Sequence, residues 1–113
     1  MDETLHAAIA AVIPNCYGTI APATAQTPYV IWQRIGGEDG EYLDNEEPQV
    51  KRAVVQIEVF STDVLAPKTQ MESLATALRA SDDLIIRPMG GMRDDYHHDM
   101  KLFSASRDFE IIR

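Results

Sequence analysis

The 113-residue sequence predicts an α+β fold: a mainly antiparallel four-stranded sheet with two helices packed on it, in the order α–β–β–α–β–β. Three observations carry this expectation. Two segments place apolar residues at i, i+3, i+4 and i+7, the stripe of an amphipathic helix. Four segments show the alternation, or the β-branched and aromatic enrichment, of strands. The strands also arrive in pairs rather than alternating singly with helices, which favours antiparallel pairing over parallel βαβ winding. The length fits a single domain over residues 1–113, with chain enough for one core.

The first helix is expected over Asp2 to Ile13, with Leu5, Ala8, Ile9 and Val12 as its stripe. Asp2 and Glu3 suit the positive end of its dipole, and Pro14-Asn15 ends it. Asn15 to Thr27, with Gly18 and Pro22, reads as a loop that has room for a short strand around Tyr17 to Ile20. Pro28 to Gly37 reads as a strand. Val30 and Trp32 share one face, Tyr29, Ile31 and Ile35 the other, and Gly36-Gly37 stops it. Glu38 to Gln49 reads as a long acidic connection. Val50 to Ser61 is the clearest strand, with Val55, Ile57 and Val59 as its core face. Gln56 and Glu58 mark the other face as wet or part of an interface. Thr62 to Ser81 reads as the main helix, capped by Thr62 or Asp63, with Met71, Leu74, Ala75 and Leu78 inward. Leu84 to Arg87 is a short strand fading past Pro88, Gly90-Gly91 permits a bulge or turn, and Arg93 to Asp99 is a charged connection. In the last strand, Lys101 to Ile112, Phe103, Ala105, Phe109 and Ile111 share a face interrupted by Arg107.

Composition narrows the function. Eighteen acidic against 10 basic residues give a formal charge of −8, which opposes sequence-independent binding to phosphate backbones. No apolar run approaches the roughly 20 residues of a membrane helix, and the acidic opening Met1-Asp2-Glu3 is unlike a secretory signal. Cys16 is the lone cysteine, so neither an internal disulfide nor a cysteine-rich zinc site is expected.

The sequence offers no phosphate-binding loop and no nucleophile elbow. The neighbours of Cys16 (Asn15, Tyr17 and Gly18) supply no positive charge to activate a thiol. The cluster Asp94-Asp95-Tyr96-His97-His98-Asp99 holds plausible ligands for a divalent cation, and a small metal-dependent hydrolase built on His97, His98 and Asp99 is the enzymatic alternative. In extended chain, however, His97 and His98 point apart. The paired acids Asp82-Asp83 and Glu46-Glu47 read as solvated turns. Arg107 and Arg34 fall on the apolar side of their strands, so each requires an internal partner or a subunit interface.

The ordered features then resemble a family. The segments Pro28-Tyr29-Val30-Ile31-Trp32-Gln33-Arg34 and Arg52-Ala53-Val54-Val55-Gln56-Ile57-Glu58-Val59-Phe60-Ser61 are the most specific parts. With the flanking helices and the strand Phe103 to Ile111, they look like the small tail-completion proteins of long-tailed phages and prophages, similar to lambda-type tail terminators. The resemblance implies a non-enzymatic assembly subunit without a cofactor, made in the host cytoplasm and then part of the virion tail. Its partners would be copies of itself in a ring, expected as a hexamer, the tail-tube protein and the head connector protein. The ring would stop tube polymerisation and provide the head–tail joining surface. A head–tail connector or neck protein is the nearest alternative. On this view Arg34, Glu58 and Arg107 are candidate inter-subunit contacts. The acidic residues Glu38, Asp39, Glu41, Asp44, Glu46 and Glu47 would face the lumen or a neighbouring ring, where negative charge lets DNA slide without sticking.

Overall fold

The computed structural model describes residues 2–38, 52–82 and 84–112. The elements are α1 (Asp2–Ala10), β1 (Cys16–Gly18), β2 (Tyr29–Glu38), β3 (Arg52–Ser61), α2 (Ala66–Arg79), β4 (Ile85–His97) and β5 (Leu102–Ile112). They form an α+β arrangement around a five-stranded mixed sheet ordered β1-β2-β3-β5-β4.

Two features correct the four-stranded antiparallel expectation. The first is β1, which pairs in parallel with β2 through Cys16 opposite Val30 and Gly18 opposite Trp32. The ten residues between them carry the chain back to the starting edge, the crossover a parallel pair requires. Asn15 closes that loop: its side-chain amide donates to the Gln26 carbonyl at 3.0 Å, and its own carbonyl accepts from the Val30 amide at 2.9 Å. Gly18 lets the Trp32 ring lie close, since a β-carbon on it would stand a tight 3.2 Å from that ring.

The second is the length of β4. The charged stretch expected as a connection continues the strand, with Arg93 opposite Ser106 and His97 opposite Leu102. Its polarity reflects its place at the sheet edge, where charged side chains and a proline are tolerated and discourage stray pairing. Between Met89 and Arg93 the register shifts through a bulge, where Gly90 takes φ +74°, a conformation that favours glycine.

Other boundaries move less. β2 runs through Gly36-Gly37 to Glu38, absorbing a register shift between Arg34 and Gly36. α2 begins at Ala66 rather than near Thr62; its N-cap is Leu65, which offers no side-chain cap, and the proline at its start supplies a preset φ.

Both helices pack on one face of the sheet. Leu5, Ile9 and Ile13 from the N-terminal segment and Met71, Leu74, Ala75 and Leu78 from α2 close over Val30, Val55, Ile57, Val59, Ala105, Phe109 and Ile111. The stripes and the β3 core face read from the sequence are thus the residues that meet. Leu74 is fully buried, so Leu74→Ala is expected to cost about 2–5 kcal/mol in urea unfolding. Exposed Ile85 serves as the control: Ile85→Ala should stay within about 0.5 kcal/mol.

Candidate functional site: the sheet face opposite the helices

Strand alternation turns the opposite face away from the helices, and the polar residues of β3, β4 and β5 gather there. At one end a row of rings crosses the strands. Tyr29 stacks on Phe60 with centroids 4.8 Å apart, Tyr17 meets Tyr29 edge-on at 6.3 Å, and the His97 ring lies 5.3 Å from Phe60. Small, buried Ser104 on β5 leaves room for His97 of β4 to reach toward β3. Burial raises the Tyr29 phenol pKa, and the Glu58 carboxylate adds to the rise.

Glu58, His97 and Ser104 form a polar centre beside these rings. His97 Nε2 lies 3.3 Å from Glu58 Oε2 and 3.0 Å from Ser104 Oγ. Both partners converge on the same ring nitrogen. A nucleophile relay needs the carboxylate on one nitrogen and the hydroxyl on the other, so this trio is not arranged for hydrolysis. The rest of the sequence cluster is parted: His98 packs edge-on against Tyr96 at 4.9 Å, and Asp94 turns to the helix side, 3.2 Å from Lys68 Nζ. Among the described residues no three His, Cys, Asp or Glu side chains converge as metal ligands.

The other end of the face is a charge ladder. Glu110 accepts from Arg52 Nε at 2.8 Å and from Arg87 at 2.7 Å, and Asp108 accepts from Arg93 at 2.9 Å. The Arg52 hydrogen bond is the largest influence on the Glu110 carboxyl. Together with the Arg87 bond and both guanidinium charges, and against partial desolvation, it holds the pKa below the ordinary value.

The candidate interface residues are placed as follows. Glu58 is engaged with His97, as above. Arg107 stands in β5 opposite Ile57 and beside the β4 bulge, where its Nε donates to the Gly90 carbonyl at 3.2 Å. The bulge takes that carbonyl out of the ladder, and the arginine satisfies it. This internal role is one the sequence could not supply. Arg34 is exposed at the β2 bulge. Glu38 is the last residue of β2; Asp39, Glu41, Asp44, Glu46 and Glu47 lie outside the described residues.

On the helix side, one constellation escaped the sequence reading. The Trp32 indole donates to His6 Nδ1 at 2.9 Å, and Cys16 Sγ lies 3.6 Å from the same nitrogen. Cys16 therefore sits on β1, not in a loop. Burial pushes its thiol up to about 11, and the imidazole lone pair beside it is already shared with Trp32. The arrangement anchors α1 rather than activating a nucleophile. Only a His at one helical position and a Trp 26 residues on, with no motif linking them, marked it in the sequence.

Two measurements check these assignments. Iodoacetamide should alkylate Cys16 in the folded protein at pH 8 at least about tenfold more slowly than in the urea-unfolded chain. For Glu110, a carboxyl lowered in the folded state contributes stability above its unfolded pKa and loses it as pH falls through the folded one. Glu110→Gln should therefore weaken the protein at pH 7 and flatten the fall of its urea midpoint on acidification.

Comparison with known proteins completes the site. A search of curated proteins gave no match. The chain is similar to one in the solved virion of the native gene transfer agent (GTA) particle, with a TM-score of 0.54 and 16% identity, covering 92% of this chain and 82% of that one. At that identity the likeness is one of fold. No helix among the described residues is long and apolar enough to cross a membrane. The family model described as tail completion protein gp17 matches residues 4–112, nearly the whole sequence, and the chain belongs to that family.

Proposed function

We propose that this tail-completion protein is a non-enzymatic assembly subunit that caps the tail tube as a ring, hexameric in the assembled tail. The ring stops tube polymerisation and presents the surface to which the head connector joins. The observation that carries the reading is the family match across residues 4–112. The whole of residues 1–113 acts as one domain in this role, binding copies of itself, the tail-tube protein and the head connector, without a cofactor, a specific nucleic acid or a membrane. It is made in the host cytoplasm and ends in the virion tail.

The surface supports this reading. A polar sheet face on which no described helix packs, and exposed apolar side chains such as Ile20, Leu65 and Ile85, suit a protein whose work is contact. Arg34, exposed at the β2 bulge, is one inter-subunit candidate. Glu58 and Arg107, like Arg34, would contribute through their exposed atoms. The acidic run from Glu38 to Glu47 gives the lumen or the ring-to-ring surface its negative charge.

The test is deletion of the gene in its own phage or prophage, followed by negative-stain electron microscopy. Overlong tails, or tails that never join heads, restored by supplying the protein, are the expected result; normal infectious particles would overturn the reading. In the same assay Arg34→Ala should lower the yield of joined particles. Normal yield from Arg34→Ala and Arg107→Ala together would remove those residues from the interface.

A further inference from the structure

Four of the large hydrophobic side chains exposed among the described residues gather at one end of the sheet: Ile20, Val64, Leu65 and Met100. Val64, Leu65 and Met100 lie where β3 finishes and β5 begins, and Ile20, two residues past β1, lines a groove at the same end. At this end they make two different shapes. Ile20 and Met100 wall a groove of about 920 Å³ whose floor includes Tyr29, Ile31, Phe60 and Leu102. Tyr29 and Phe60 belong to the sheet face opposite the helices, so the groove lies on that side. Val64 and Leu65, 48% and 63% exposed, form a projecting apolar pair instead. Leu65 is the N-cap of α2, which places the pair with the helix layer on the other side of the sheet.

The charges beside the two features are opposite. Asp63 is exposed next to the projecting pair, and Lys101 is exposed between the groove residues Met100 and Leu102. Asp99 shares that turn and offsets part of its positive charge, so the match lies in the Asp63–Lys101 pair alone. Within one chain the pair and the groove lie on opposite sides of the sheet, and a subunit does not fill its own groove.

We propose that the groove receives Val64 and Leu65 of a second copy of this chain, with Asp63 of that copy set against Lys101. The contact is heterologous: each copy that fills a neighbour's groove leaves its own groove open for the next. Such head-to-tail contacts close into a ring when the rotation between copies permits. The inference rests on the ring reading above and deepens it by naming the two surfaces that meet.

The test uses tails from phage lacking the gene and complemented with variants. Leu65→Cys combined with Met100→Cys should give, on oxidation, a ladder of covalently linked copies of three or more. Each single variant should give none, and the wild-type chain, whose Cys16 is buried, sets the background. Leu65→Asp should lower the yield of joined particles by about tenfold or more, since a buried carboxylate opposes seating in an apolar groove. The thermal midpoint of the isolated Leu65→Asp protein should stay put, because the side chain is exposed. Asp63→Lys and Lys101→Asp should each reduce yield, and the double reversal should recover it. Dimers alone from the single Leu65→Cys variant would overturn the proposal in favour of a two-fold contact. Cross-linking of Leu65→Cys to another tail protein would assign the projecting pair to that protein instead. A ring visible on the tails without a ladder would overturn this contact and leave the ring reading standing. Particles that lack the protein yet join heads would overturn both.

Discussion

The helix side of the structure is built on three side chains of one strand. Val55, Ile57 and Val59 point inward from β3, which has β2 on one flank and β5 on the other. Side chains on a strand alternate with a period of two, so a slip of one residue would send all three to the opposite face. In their place Val54, Gln56 and Glu58 would face the helices, burying an amide and a carboxylate against Leu74 and Leu78. An unpaired buried charge is far too costly for that register to compete. The β3 register then sets its neighbours: Val30 opposite Val59, Ala105 opposite Val59 and Phe109 opposite Val55 all become core positions. The polar face opposite, with its rings at one end and its arginine ladder at the other, is the complement of the same choice.

How much of this was legible follows from which forces leave a periodic trace. Apolar alternation in β3 and β5 and the helical stripe of α2 are local consequences of facing a core, so they read directly. Gly90 announced its bulge because few other residues take its backbone conformation. The outer half of β4 left no such trace. An edge strand is held by backbone hydrogen bonds on one side, and its side chains meet mostly solvent, so Arg93 to His97 looked like a connection. β1 is only three residues long and pairs across a ten-residue excursion, too short to carry a period.

The functional face shows the same division. Arg107 was conspicuous as a charge out of phase, but its partner is a backbone carbonyl freed by a bulge, which no residue type encodes. Glu58, His97 and Ser104 come from three strands and lie up to 46 residues apart in sequence; only the sheet order brings them together. Adjacency misled where geometry separates: His97 and His98 are neighbours in the chain, yet one joins the polar centre and the other packs on Tyr96. The family, by contrast, was legible in two strand patterns, because those patterns are the sheet itself.

The indole of Trp32 sits at a junction worth following further. It is the sole tryptophan, and it ties β2 to the first helix through His6 while its ring covers Gly18. The molecule thus carries its single indole fluorophore at the seam between its first helix and its sheet. Its emission reports the seating of that helix without any added label. A neighbour docking elsewhere leaves the signal alone, whereas one that pries the helix loose exposes the indole to water and shifts its light to longer wavelength.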